Sequence, residues 1–177
     1  MQTSSADQIK PLEDFDGLHV LGKLSSNLDT AYSVSIFDRT LALEPHTYPV
    51  KLEYARVFQQ RGACKGTLMQ CPGALQDLTM ALKLGLADAK TYMYKSNIYV
   101  RMYNGMAAMA DLNAAHAEEP NNAAVLNMRA QIKDISGDWA GAVADFDAAE
   151  LIEPLPTQSL AGRDWLRAHQ RAGFWSR

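Results

Sequence analysis

Small and apolar residues recur along this chain with helical spacing, and the same set then recurs thirty-four positions later. Ala108, Asp111, Leu112, Ala115 and Pro120 are answered by Ala142, Asp145, Phe146, Ala149 and Pro154. Within each copy the apolar positions fall three or four residues apart, which is the stripe of an amphipathic helix. No stretch shows the alternation of a strand. The pattern predicts a helix over Asn122–Ser136, a turn at Gly137-Asp138 and a second helix over Trp139–Ile152. Pro154 ends that helix, because proline disfavours helical backbone at the residue before it. The preceding pair runs Asp88–Met102, turns at Tyr103-Asn104, continues over Gly105–Ala117 and closes at Pro120.

Another thirty-four residues back, Ala74, Asp77, Leu78 and Ala81 repeat the second-helix pattern, with Gly85 and Leu86 in place of the proline. Gly85 suits a helix C-cap. The first helix of this pair reads as Val50–Arg61, which begins early, so Gly62–Gly73 reads as an expanded turn. A further unit ends at Glu44-Pro45. Its second helix is Leu28–Leu43, with Ser33, Phe37 and Thr40 in the repeating places, and its first is Leu12–Leu24, weakened by Gly17 and Gly22. After Pro154 and Pro156, Thr157 is placed to cap a last helix reaching about Arg171. The chain thus divides as one domain, 1–177: a degenerate repeat over 12–46, repeats over 47–87, 88–121 and 122–155, and a capping helix with tail over 156–177.

A fixed period in this range means stacked copies of a unit that cannot bury its apolar face alone. The spacings resemble the tetratricopeptide repeat. Ala142-x3-Phe146, Ala149 and Pro154, preceded by Gly137-Asp138-Trp139, match the second half of that pattern. Ala108-x3-Leu112, Ala115 and Pro120 match it with one conservative change. Tyr92, Ser96 and Tyr99 fill the aromatic, small and aromatic places of the first half, Leu126 and Ala130 fill two of them, and Lys133 stands where a tyrosine is usual. Ala55 and Phe58 fill the small and aromatic places of the second unit. Sel1- and HEAT-type arrays, the alternatives, run at longer periods. The resemblance covers about residues 28–154 and implies an all-α, right-handed α-solenoid of antiparallel hairpins with a C-terminal capping helix.

The resemblance also implies that first helices line a concave face that holds a segment of another protein. By position that face would take Arg56, Gln59 and Gln60, then Lys90, Met93, Tyr94, Asn97 and Arg101, then Asn127, Gln131 and Asp134. Such amides, an aromatic and a cation can hold an extended or helical peptide; the competing reading is an ordinary solvated helix face. The lysine–asparagine–arginine clamp of similar chaperone-tail receptors is not reproduced. Lys90 and Asn97 fit it, but Tyr94 stands where its arginine belongs and Arg56 where an asparagine belongs.

Both cysteines, Cys64 and Cys71, fall in the expected long turn. Three readings stand: a disulfide stapling the turn, which would imply an oxidising compartment; two reduced thiols in a cytoplasmic protein; or redox or metal chemistry. The last is disfavoured, because there is no C-x-x-C and no histidine close in sequence to complete a zinc site. In the last helix Leu160, Trp165 and Leu166 are expected to cover the preceding repeat, while Phe174 and Trp175 are candidate tail contacts for a partner or a second copy.

Charge narrows the partners. The chain carries net −3, and 47% of its residues are hydrophobic, which suits a globular core and not a nucleic-acid binder. The charge is uneven: residues from 155 onward carry net +3 and residues 1–154 carry −6. No apolar run reaches the length of a membrane span. The polar leader fits a cytoplasmic protein or a mature exported one. His19, His46, His116 and His169 show no metal spacing, and no phosphate-binding or nucleophile motif is present. Asp77, Asp111 and Asp145 recur at the repeat period and read as structural surface positions. The expectation is a non-enzymatic adaptor or scaffold without metal or cofactor, set in bacterial envelope secretion or pilus assembly if the disulfide forms. The alternative is a self-associating structural subunit that uses the tail.

Overall fold

The computed structural model of the protein describes residues 15–26, 29–43, 51–154 and 157–171. Among them are nine helices and no strand: α1 (Phe15–Ser25), α2 (Thr30–Ala42), α3 (Lys51–Thr67), α4 (Cys71–Lys83), α5 (Ala89–Arg101), α6 (Gly105–Glu118), α7 (Ala123–Ile135), α8 (Trp139–Ile152) and α9 (Thr157–Arg171). The chain divides into two compact units, Met1–Leu86 and Ala87–Arg177.

Local chemistry sets the helix starts. Asp29, Asp88, Asn104, Asn122 and Asp138 each sit at an N-cap and accept from the backbone N–H three residues on, at 2.8–3.2 Å. Each such bond satisfies a donor that the helix itself leaves unpaired. The turns within the hairpins are equally regular. Met69, Tyr103 and Gly137 lie thirty-four residues apart and all adopt positive φ, at 61°, 56° and 84°. The next residue in each turn donates its N–H five residues back, Gln70 to Lys65, Asn104 to Tyr99 and Asp138 to Lys133, each at 2.9 Å. This left-handed C-terminal turn satisfies the last carbonyls of the first helix.

The α3–α4 turn is therefore the same as the other two, and the expected expanded turn over Gly62–Gly73 does not exist. Helix α3 runs on to Thr67, because Gly62 lies on a contact face and does not break the helix. A Cβ at Gly62 would come within 2.8 Å of Leu78 Cγ and 3.1 Å of the Ala74 carbonyl oxygen. Seven surplus residues instead precede α3: Ser33, Phe37 and Thr40 of α2 stand forty-one residues before Ala74, Leu78 and Ala81.

Each unit has its own core. In the first, Phe37, Val57 and Cys64 pack together, with Phe15, Val34 and Leu41 against them. Ala55, Ala81 and Leu86 form a second cluster under Phe58 and Leu84. In the second unit Ala89, Ala108, Leu112, Ala115, Val125 and Ile132 join α5, α6 and α7. Ala123, Leu126, Ala130, Ala142, Phe146, Ala149 and Leu166 join α7, α8 and α9. Alanine at the crossing points lets helices approach closely, and one large side chain per second helix fills the gap.

The last helix departs from expectation at one residue. Leu166 is buried and Leu160 packs beside it, but Trp165 is 53% exposed.

Candidate functional site

Five cations on the first helices, Arg61, Lys65, Lys95, Arg129 and Lys133, are spent inside their own hairpins. Asp77, Asp111 and Asp145 are only 4%, 8% and 5% exposed, so they are not the surface positions expected from their period. Each is met by a cation sixteen residues earlier. Arg61 donates Nε to Asp77 Oδ2 at 2.8 Å and Nη2 to Oδ1 at 2.6 Å. Arg129 holds Asp145 with the same two bonds and the same distances. A second cation, twelve residues before the carboxylate, completes each cradle: Lys65 at 3.0 Å and Lys133 at 2.8 Å. Lys133, which stands where the resemblance expects a tyrosine, is there to neutralise Asp145. In the middle hairpin Lys95 reaches Asp111 Oδ1 at 2.9 Å, the twelve-back place is Tyr99, and Asp111 Oδ2 is buried without a hydrogen bond.

The cradle around Asp145 holds its carboxylate as a fixed anion. Burial pushes the Asp145 carboxyl up, but the bonds and charges of Arg129 and Lys133 outweigh it and hold it below the ordinary range. Sequence reading found the aspartates and missed their cations. The signal was present: a basic residue stands sixteen before each of the three.

The cysteines carry no disulfide. Both thiols are free, Cys64 buried on α3 among Phe37 and Val57, and Cys71 at the start of α4. Burial raises the Cys64 pKa, which makes it a poor nucleophile. The argument for an oxidising compartment, which rested on that bond, goes with it. Among the described residues no three His, Cys, Asp or Glu side chains converge to hold a metal ion.

The expected lining residues fall into three sets. In the first unit Arg56 is exposed, with Glu53 3.8 Å away. Gln59 is buried, and the half-buried Gln60 binds His19 Nε2 at 3.1 Å, so neither presents an open amide. On α5 the picture differs. Lys90, Asn97 and Arg101 are exposed and Tyr94 and Met93 half-buried. Lys90, Tyr94, Asn97 and Arg101 follow helical spacing along one stripe, and the Lys90 ammonium sits 5.7 Å from the Tyr94 ring centroid. On α7 Gln131 is exposed, Asp134 and Asn127 are half-buried, and Asn127 Oδ1 lacks a hydrogen-bond partner. Phe174 and Trp175 lie outside the described residues.

Three successive hairpins that share one turn geometry and one buried carboxylate–cation pair at a thirty-four-residue period define a helical-repeat protein. No protein-family model and no curated protein matches the chain. Solved structures do. The pilF protein of Pseudomonas aeruginosa superposes with a TM-score of 0.77, over 90% of this chain and 70% of its own, at 14% identity. The tetratricopeptide-repeat domain of Arabidopsis OM64 gives 0.63, over 67% of this chain and 98% of its own, at 23% identity. YrrB, described as a tetratricopeptide-repeat protein with an unusual peptide-binding site, gives 0.69, over 90% and 79%, at 15% identity. The chain has the tetratricopeptide-repeat fold.

Proposed function

We propose that this protein is a protein-binding module that holds a segment of a partner on the first-helix faces of its second unit, with α5 as the principal contact. The observation that carries the reading is the division of labour on α5. Lys95 and Ser96 face inward, Lys95 to Asp111, while Lys90, Tyr94, Asn97 and Arg101 form a stripe turned to solvent. That stripe combines two cations, an amide and an aromatic ring, which suits capture of a peptide by hydrogen bonds and ring contact. The peptide-binding site that the description of YrrB gives to that protein supports the same reading.

Affinity capture from a lysate with the wild-type chain, compared with a Tyr94→Ala/Asn97→Ala variant, tests it. Both positions are outside the ion cradles, so the variant should keep its helical spectrum. It should lose at least about tenfold in recovered partner, in line with one or two good contacts. Equal recovery by both proteins would contradict the reading. A narrower setting in bacterial secretion or pilus assembly rests on likeness of fold alone, and recovery of an envelope component in the same capture is its test.

A further inference from the structure

We propose that the outer face of α6, with the α5–α6 turn, is an interface between two copies of this chain. Tyr103 at the tip of that turn is 98% exposed and Met106, one turn into α6, is 87% exposed, with Met102 beside them half open. Tyr103 also holds φ 56°, where the equivalent residue of the next hairpin is Gly137. A tyrosine there gains nothing from folding, since neither its backbone nor its ring is favoured by the site.

The face continues along α6. Met106, Ala110, Asn113 and Ala117 are all exposed at helical spacing, and none is charged. The same register on α4 reads Pro72, Gln76, Thr79 and Lys83. On α8 it reads Ala140, Ala144, Asp147 and Leu151, and Asp147 is taken by Arg167 of α9. Only α6, of these three, presents a face without a charge.

Shape selects the occupant. The face is bulky at one end, with Tyr103 and Met106, and small at the other, with Ala114 and Ala117. Two such faces laid antiparallel about a two-fold axis set the bulky end of each copy on the small end of the other, with Ala110 and Asn113 near the axis. An isologous contact of this kind is self-complementary by construction. The exposed apolar groups amount to about 500 Å² per copy, or about 1,000 Å² in a pair, which reaches the lower limit of a specific interface. The expected dimer is therefore weak and reversible.

Sedimentation equilibrium on the full chain from about 1 to 500 μM tests this, across the range where an interface of that size acts. The wild type should approach a dimer with a dissociation constant of about tens of micromolar. Tyr103→Gly/Met106→Ser should weaken it at least about tenfold, with a melting temperature no lower than wild type, because glycine is at ease at positive φ. Ala110→Glu, at an exposed helical position, should do the same by placing like charges across the axis. A wild type that stays monomeric throughout, or variants that associate as tightly as it does, would overturn the proposal. Neither variant touches the α5 stripe, so partner capture is read separately.

Discussion

Lys95 stands alone among three equivalent cradles. Arg61 and Arg129 grip both oxygens of their carboxylates, while Lys95 grips one and leaves Asp111 Oδ2 unbonded. Lys95→Arg should supply the missing bond and stabilise the protein by about 1 kcal/mol, seen as a rise of about 3 °C in melting temperature. Asp145→Ala should cost about 3 kcal/mol, because Arg129 and Lys133 would be left as unpaired, largely buried cations. A urea midpoint for each variant checks both. Histidine gives the pH dependence. Burial, with the charges of Arg129 and Lys133, lowers the His116 pKa against the pull of Asp145. Burial, with Lys23, lowers that of His19 against its bond to Gln60 and the charges of Glu53 and Asp16. A histidine held low when folded takes its proton more readily when unfolded. Its contribution to stability is thus whole above pH 6.5 and is lost as pH falls from there through the folded value. The urea midpoint should drop between pH 7.5 and pH 5.5, and His19→Gln/His116→Gln should flatten that drop. Asp145 acts in the same direction further down. Its depressed pKa stabilises above 3.8 and fails as pH falls through the folded value.

At the scale of the element, the repeat period was legible because the hairpins from α3 to α8 reuse the same small residues and the same turn. The helices from Ala89 to Ile152 fall within a residue or so of where the spacing puts them. The α3–α4 turn was misread for a physical reason. The expected first helix, Val50–Arg61, stopped short of Gly62, yet Gly62 and Gly66 are both buried in α3, and Gly62 lets Leu78 and the Ala74 carbonyl close in. Ser96 and Ala130 occupy the equivalent place with a Cβ, so α3 and α4 are fitted to its absence. Gly62→Ala should destabilise by about 2 kcal/mol through that overlap, measured by urea unfolding. The register also explains α9. Leu160, Arg163, Leu166 and Arg167 fall thirty-four residues after Leu126, Arg129, Ile132 and Lys133. Helix α9 thus has the residues of a first helix, and Arg163 turns back to Asp147 and Glu150 of α8. At the place held by Gly62, Ser96 and Ala130 it carries Asp164, 64% exposed, a charge that opposes close packing of a second helix on that face. The same register sets Trp165 on the exposed Gln131 and Leu166 on the buried Ile132, so the outward direction of Trp165 follows from the period once α9 is aligned as a first helix.

For the whole molecule, the class of function follows from what the fold leaves unused. The α3–α4, α5–α6 and α7–α8 hairpins each pair a buried carboxylate with a cation of their own, and the thiols are free and in one case buried. Two surfaces stand out: the α5 stripe of Lys90, Tyr94, Asn97 and Arg101, and the exposed register of Met106, Ala110, Asn113 and Ala117 on α6. The stripe was legible in the sequence through the resemblance, residue by residue. Its counterpart on α3 was not, since the burial of Gln59 and the bond from His19 to Gln60 depend on how α1 packs. The most direct measurement places a photo-reactive amino acid at Asn97 in one protein and at Asn113 in another, followed by irradiation in a lysate and mass spectrometry. Position 97 should yield a foreign polypeptide, and position 113 a second copy of this chain. A foreign polypeptide joined at position 113 with none at position 97 would contradict the account.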